Sequence, residues 1–259
     1  MLSFSANLGF LWTELELPRA IHAARSAGFD AVECHFPYAV DSALVAEALA
    51  ETGLAMLGLN TRLGSQGADD FGLLALPGRE SEARDSVEEA IAYAQAIDCP
   101  RIHCMAGRSG GALAAETVYR ENLAWASKRA GASGLSLLIE PINQRDVAGY
   151  HLSYVEQGIE TIESVGADNL KLMFDCYHTQ IMQGDLLTRL RDSLAHIGHV
   201  QFAGVPDRGE PDEGEVNYAW LLPALESLGW TGPVGAEYRP RNSTEAGLGW
   251  LAAYRSGCL

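Results

Sequence analysis

Eight short apolar runs rich in β-formers alternate along the chain with segments that carry apolar residues at helical spacing. The runs are Ser3–Leu8, Ala31–Phe36, Leu54–Asn60, Arg101–Ala106, Ser136–Glu140, Lys171–Asp175, His199–Ala203 and Val234–Tyr238. The helical pattern is found at Pro18–Ala27, Ser42–Thr52, Arg79–Ile97, Ala114–Ala130, Leu152–Val165 and Tyr218–Leu228, with a last helix expected at Thr244–Tyr254. Each repeat takes about 30 residues, the size of one βαβ unit. Regular alternation of this kind predicts a parallel sheet covered by helices. Eight units in 259 residues predict an α/β fold, a closed (β/α)8 barrel forming one domain over 1–259. An open doubly wound sheet is the alternative, and no strand–GxGxxG–helix signal supports it.

The connections say which end of such a barrel carries function. Those from helix to strand are short and often contain Gly, as at Ser26–Phe29, Glu51–Gly53 and Val165–Ala167, where Gly suits a helix C-cap. Those from strand to helix are long in three places: Asn60–Gly78, Pro141–His151 and Gly204–Asn217. Long polar loops that all follow strands gather on the C-terminal face, where barrel active sites sit. Gly64, Gly67 and Gly72 would permit the first of these loops to close as a lid.

Charge and cysteine usage narrow the partners. The formal net charge is −16, which repels phosphate backbones and argues against nucleic acid. It leaves room for a small anionic substrate bound by local Arg residues. No apolar run reaches the roughly 18 residues of a membrane helix, so no membrane association is expected. The N-terminal segment lacks a basic n-region and a small-residue cleavage site, so no secretory signal is expected. Cys34, Cys99, Cys104, Cys176 and Cys258 form no C-x-x-C pair and read as reduced thiols of a cytoplasmic protein. Nothing in the pattern decides against a homo-oligomer.

Four acidic or amide side chains close apolar strands on the loop-rich face. Leu137-Leu138-Ile139 leads to Glu140, Leu172-Met173-Phe174 to Asp175, His199-Val200 to Gln201, and Val234-Gly235-Ala236 to Glu237. A carboxylate after apolar strand residues is costly unless it is paired or bound to metal. These four lie on strands five to eight, neighbours in a barrel, so they can point at one spot. Three carboxylates and an amide oxygen form a hard, oxygen-only set that suits Mg²⁺ or Mn²⁺. Capping of the strand ends and ion pairing to Arg is the alternative reading of the same residues.

Several segments resemble the hydroxypyruvate isomerase family, within the xylose-isomerase-like TIM barrels. Asn7 in Phe4–Leu8, the run Phe29–Tyr38, Leu76–Glu80, Ile139–Asn143, Asp175–His178, Asp207–Pro211, Gly214–Tyr218 and Glu237–Pro240 carry the likeness, in order and from Leu2 to Trp250. The resemblance implies that Glu140 and Glu237 are an acid/base pair, and that Glu140, Asp175, Gln201 and Glu237 hold a divalent metal. It also implies that His178, read as the start of a sixth strand–helix loop, hydrogen-bonds a substrate oxygen. Asp146 stands where related epimerases carry a substrate-contacting Glu; a turn-forming role is the other reading. Arg208 and Arg239 offer planar forks for a substrate carboxylate, or are surface charges. Phe10 and Trp12 could wall the pocket, and His103 reads as a barrel histidine. The implied reaction interconverts hydroxypyruvate and 2-hydroxy-3-oxopropanoate, a small hydroxy-carbonyl acid. A 2-oxo-tetronate isomerase and a ketose 3-epimerase are the alternatives that share this chemistry.

Overall fold

The computed structural model describes residues 2–256, so Cys258 lies outside the described residues. Nine strands are all parallel: β1 Phe4–Asn7, β2 Ala31–Glu33, β3 Ala55–Met56, β4 Leu59–Asn60, β5 Arg101–His103, β6 Ser136–Ile139, β7 Leu170–Asp175, β8 Ile197–Phe202 and β9 Val234–Ala236. Their order in the sheet is β3-β2-β1-β9-β8-β7-β6-β5-β4. The two ends of that order are one stretch of chain. β3 pairs with β2, β4 pairs with β5, and Leu57 and Gly58 bridge them. Backbone bonds from Leu57 to Val32, Cys34 to Gly58 and Asn60 to His35 carry the pairing across the gap. The ring is therefore closed with eight staves, as the alternation predicts, and the third stave is split.

Helices α1 Leu17–Ala27, α2 Ser42–Thr52, α3 Glu80–Ala96, α4 Ala115–Gly131, α5 Val155–Val165, α6 Cys176–Met182, α7 Leu186–Ser193, α8 Tyr218–Ser227 and α9 Gly249–Ser256 cover the outside. Gly28, Gly53 and Gly166 end α1, α2 and α5 in the left-handed conformation, as their spacing suggests. One correction concerns the sixth connection. It is not a loop: α6 begins directly after β7 and is capped by Asp175, whose Oδ1 accepts from the Tyr177 N–H at 2.7 Å. α6 has seven residues, and Cys176, Tyr177, His178 and Thr179 are all buried. So short and evenly buried a helix has no amphipathic period to read. The last helix also differs: Glu245–Gly247 forms a separate 3-10 turn before α9.

The core follows the pleat. Phe4 of β1 and Phe202 of β8 face outward onto α9, where Trp250 meets them edge-on at 5.2 and 5.3 Å between ring centroids. Tyr254 meets Phe4 at 4.8 Å. Trp250→Ala is expected to cost about 3–5 kcal/mol, the usual range for emptying a buried aromatic site. A shift of the urea midpoint at unchanged slope would register it.

Two glycines shape the inner face. Between β7 and β8 the register slips by one residue at Leu172/Met173, which brings Gln201 opposite Asp175. A one-residue slip reverses every following side chain, so this bulge is what turns His199 and Gln201 inward. The extra residue is Gly198, where a Cβ would fall 2.7 Å from the Lys171 Cβ. On β9, a Cβ at Gly235 would lie 2.3 Å from the Glu33 Oε1 and 3.0 Å from the Gln201 Cγ. That empty position is the room in which Glu33 and Gln201 meet.

Among the described residues no disulfide forms; Cys34, Cys99, Cys104 and Cys176 are free and buried. Nor is any helix among them long and apolar enough to cross a membrane.

Candidate active site

Glu140, Asp175, Gln201 and Glu237 are all buried at the C-terminal end of their strands. A cavity of about 260 Å³ opens on that face, lined by Glu140, His178, Arg208, Glu237, Asp146 and Arg239 among others. It is below the roughly 300–1,000 Å³ of common ligand pockets, which favours a small substrate. Phe10, Phe36, Phe71 and Ile142 give it apolar walls. Trp12, the other aromatic read as a wall, is buried against Phe29 instead; its backbone N–H donates to the Thr244 hydroxyl and its indole N–H to the Glu245 carboxylate. His103 lines the cavity too, and burial pushes its pKa down to about 3, so it is neutral. The Asn60–Gly78 loop at the rim is tied down: Arg79 donates to Asp70 at 2.6 Å and the Arg108 N–H to the Asp70 carbonyl at 2.8 Å.

The four strand-end residues divide by what occupies their oxygens. Glu237 Oε2 takes Arg208 Nη2 at 2.6 Å, and its Oε1 takes Asn7 Nδ2 at 3.0 Å and His35 Nε2 at 2.9 Å. Asp175 Oδ2 lies 3.4 Å from the same Arg208 nitrogen. Glu140 Oε1 and Gln201 Oε1 are buried with no hydrogen-bond partner. Gln201 spends its amide N–H on Glu33 Oε2 at 2.8 Å, so its oxygen is the free end.

Glu33, within the run Phe29–Tyr38, is a fourth acidic group of this site. It ends β2 after Ala31-Val32, the signal that singled out the other carboxylates. Ser5 donates to its Oε1 at 2.5 Å and His199 Nε2 lies at 2.9 Å from the same oxygen. Burial pushes the Glu33 pKa up, but His199 and Ser5 outweigh it and hold the group below the ordinary value.

Protonation differs sharply across the site. Burial, then Glu237 and Asp175, drive Glu140 well above the usual carboxylate range. Burial pushes Asp175 up to about 7 although Arg208 opposes it. Burial acts on Glu237 too, but Arg208 and His35 win and hold it well below that range. Arg208 reaches this cluster from a left-handed backbone position, stacked between the Phe10 and Tyr177 rings at 4.7 and 5.0 Å. Arg239 stays exposed at the mouth, also against the Phe10 ring, at 5.4 Å. Asp146 lines the cavity, yet its Oδ2 is held by Asn143 Nδ2 at 3.1 Å and the Tyr177 hydroxyl at 2.8 Å.

A divalent cation fits this donor set by charge. Glu33, Glu140, Asp175 and Glu237 are four buried carboxyl groups at this end of the barrel; Arg208 pairs with Glu237 and Asp175, and an added cation would favour the ionised form of Glu140. Two orphaned buried oxygens, on Glu140 and Gln201, add acceptors without donors. Glu140, Asp175 and His178 each offer an atom within 4.8 Å of the others.

Known proteins sharpen this picture. A model of xylose isomerase-like TIM barrels matches residues 21–254. The chain belongs to that family. It is 44% identical over 257 residues to a 2-oxo-tetronate isomerase of Cupriavidus necator, covering 98% of this chain and 99% of the relative. It is 39% identical to the hydroxypyruvate isomerase of Escherichia coli K12, covering 98% of this chain and 100% of that one. Likeness of this extent to named isomerases makes this family member an isomerase. A solved structure from Brucella melitensis, described as an AP endonuclease of family 2, superposes with a TM-score of 0.94 at 39% identity over 98% of this chain and 99% of that one. A D-allulose 3-epimerase from Methylomonas superposes at 0.82 with 18% identity, over 100% of this chain and 98% of that one, a likeness of fold alone.

Proposed function

We propose that the chain interconverts hydroxypyruvate and 2-hydroxy-3-oxopropanoate, with Glu140 and Glu237 as its acid/base pair. One observation carries this reading: two glutamates open onto the same small cavity in opposite environments, one driven up in pKa and the other down. Groups pushed apart in this way are the mark of paired proton donors and acceptors. One glutamate takes a proton from C3 and a proton is returned to C2. The C3 hydroxyl loses its hydrogen and the C2 oxygen gains one, so the carbonyl moves by one carbon and the formula is unchanged. Arg208 and Arg239 both line the cavity against Phe10 and suit the substrate carboxylate. Asp146 acts from behind Asn143 or touches substrate from the cavity wall. His178 meets a substrate oxygen.

Glu140, Asp175, Gln201 and Glu237 would hold Mg²⁺ or Mn²⁺. A bound ion would supply positive charge for oxygens that become anionic as the proton leaves. Arg208, which already donates to Glu237 Oε2, would compete with the ion for that carboxylate. The raised pKa of Asp175 adds a pH dependence. Ligation needs the carboxylate, so divalent affinity should fall as pH drops through about 7, with protons released on binding. Calorimetry in buffers of different ionisation enthalpy checks this; affinity flat from pH 8 to 6 would count against the ligand set.

The second reading is a 2-oxo-tetronate isomerase, favoured by the Cupriavidus relative. Purified protein assayed with each acid decides between them: fast turnover of an oxo-tetronate with none of hydroxypyruvate would reject the first. The same assay with ketoses covers a 3-epimerase. Cleavage of abasic DNA would bring in the activity named for the Brucella structure, which the net charge of −16 opposes. Free buried thiols suit a cytoplasmic setting, and a single domain over 1–259 suits the closed ring.

A further inference from the structure

The cluster of Glu140, Asp175 and His178 invites reading the histidine as a third metal ligand. The hydrogen bonds behind the ring argue otherwise. His178 Nδ1 faces two donors, both from Asn143: the side-chain amide N–H at 2.6 Å and the backbone N–H at 3.3 Å. A nitrogen that accepts from two donors carries no proton. With Nδ1 bare, the ring cannot be the cation and is neutral. A neutral imidazole bare at Nδ1 has its proton on Nε2.

The orientation of Asn143 decides this, and two further contacts fix it. Its Oδ1 accepts the Asp146 N–H at 2.7 Å, and its Nδ2 also donates to Asp146 Oδ2 at 3.1 Å. Turning the amide over would set oxygen against carboxylate and N–H against N–H at once. Asp146 is itself held by the Tyr177 hydroxyl at 2.8 Å. Asp146, Tyr177 and Asn143 thus form a chain that ends on the far side of the His178 ring.

On the near side, Nε2 lies 3.7 Å from Glu140 Oε1 and 3.6 Å from Asp175 Oδ2. Both distances are beyond a hydrogen bond. The N–H is unspent, and it faces the gap between the two carboxylates. We propose that Asn143 is a positioning residue that locks His178 as the Nε2–H tautomer, making it a hydrogen-bond donor to a substrate oxygen and barring it from metal ligation. The tautomer stands on the geometry alone; the donor role rests on the isomerase reading of the cavity.

The test begins with the unsubstituted, metal-free protein. A long-range proton–nitrogen-15 correlation spectrum, with the His178 signals assigned by their loss in His178→Gln, should show Nδ1 bare and Nε2 protonated. The reverse pattern overturns the proposal. In Asn143→Asp a carboxylate replaces the donor, so Nδ1 should gain a proton, and kcat should fall by about 10²-fold, the usual loss of one oxyanion donor. If that variant does not fold, the spectrum of the unsubstituted protein still decides. A folded Asn143→Asp with an unchanged tautomer also overturns the proposal. Binding of Mn²⁺ without substrate, followed by electron paramagnetic resonance, separates donor from ligand. His178→Gln should bind within about twofold of the parent; a loss of about 10-fold or more, the range seen when metal shells are disturbed, makes His178 a ligand. An Nε2–H spectrum with no turnover of either acid would fail the isomerase reading and leave the Asn143 lock standing.

Discussion

A Glu140→Gln protein should fold, unfold at nearly the parental denaturant concentration, and turn over about 10²–10⁴ times more slowly. The two halves of that result have separate causes. Glu140 Oε1 has no hydrogen-bond partner, and burial with two acidic neighbours keeps the group protonated in the ligand-free protein. An amide of the same shape replaces a neutral carboxylic acid there, so little stability is lost. What the amide cannot do is exchange a proton. Steady-state kcat and KM alongside a urea melt would show both. A variant that keeps a tenth or more of the parental kcat would remove Glu140 from proton transfer. Glu237→Gln is the less clean counterpart, since it also breaks the pair with Arg208.

The second large effect is expected from Arg208→Gln. Removing one partner of a buried ion pair costs about 3–5 kcal/mol, because the other charge is left unpaired. Here the loss leaves Glu237 and Asp175 both facing a neutral amide. The pH sign follows from Glu237, which Arg208 holds below the usual range. The stability difference between parent and variant should be full above the ordinary glutamate pKa of about 4.3 and shrink as pH falls through the lower folded value. A divalent ion at the same carboxylates would replace the missing charge. Urea melts with chelator and with Mg²⁺ should therefore differ more for Arg208→Gln than for the parent, and the variant should bind the ion more tightly. Identical destabilisation with and without Mg²⁺ would mean that ion and guanidinium do not share a site.

Much of the frame was legible because barrels repeat a simple pattern. Eight apolar runs and the long loops after strands place the mouth, and strand-end carboxylates stand out against their apolar neighbours. The parts that escaped depend on events without a period. α6 is seven residues long and buried on its first four, so nothing in its composition separates it from a loop. Glu33 carried the same signal as Glu140, but its partners Ser5, His199 and Gln201 come from strands 28, 166 and 168 positions away. The bulge at Gly198 depends on contact with Lys171 and Leu138, which no local reading of β8 contains. Arg208 was legible as a cation near the site. Its burial between Phe10 and Tyr177, which joins the first and seventh loops to α6, was not.

The bond between Asn7 and Glu237 joins residues 230 positions apart, across the seam where β1 meets β9. Contacts of this span are the last to be repaid during folding, because nearly the whole chain must be ordered around them. On the ribosome, the first stave would have to wait for the last before the ring could seal. Closure of the ring is thus a late event in the folding of this molecule. A nascent chain stalled before position 237 could hold most of its helices against a curved sheet and still lack the bond that ties its first strand to its last.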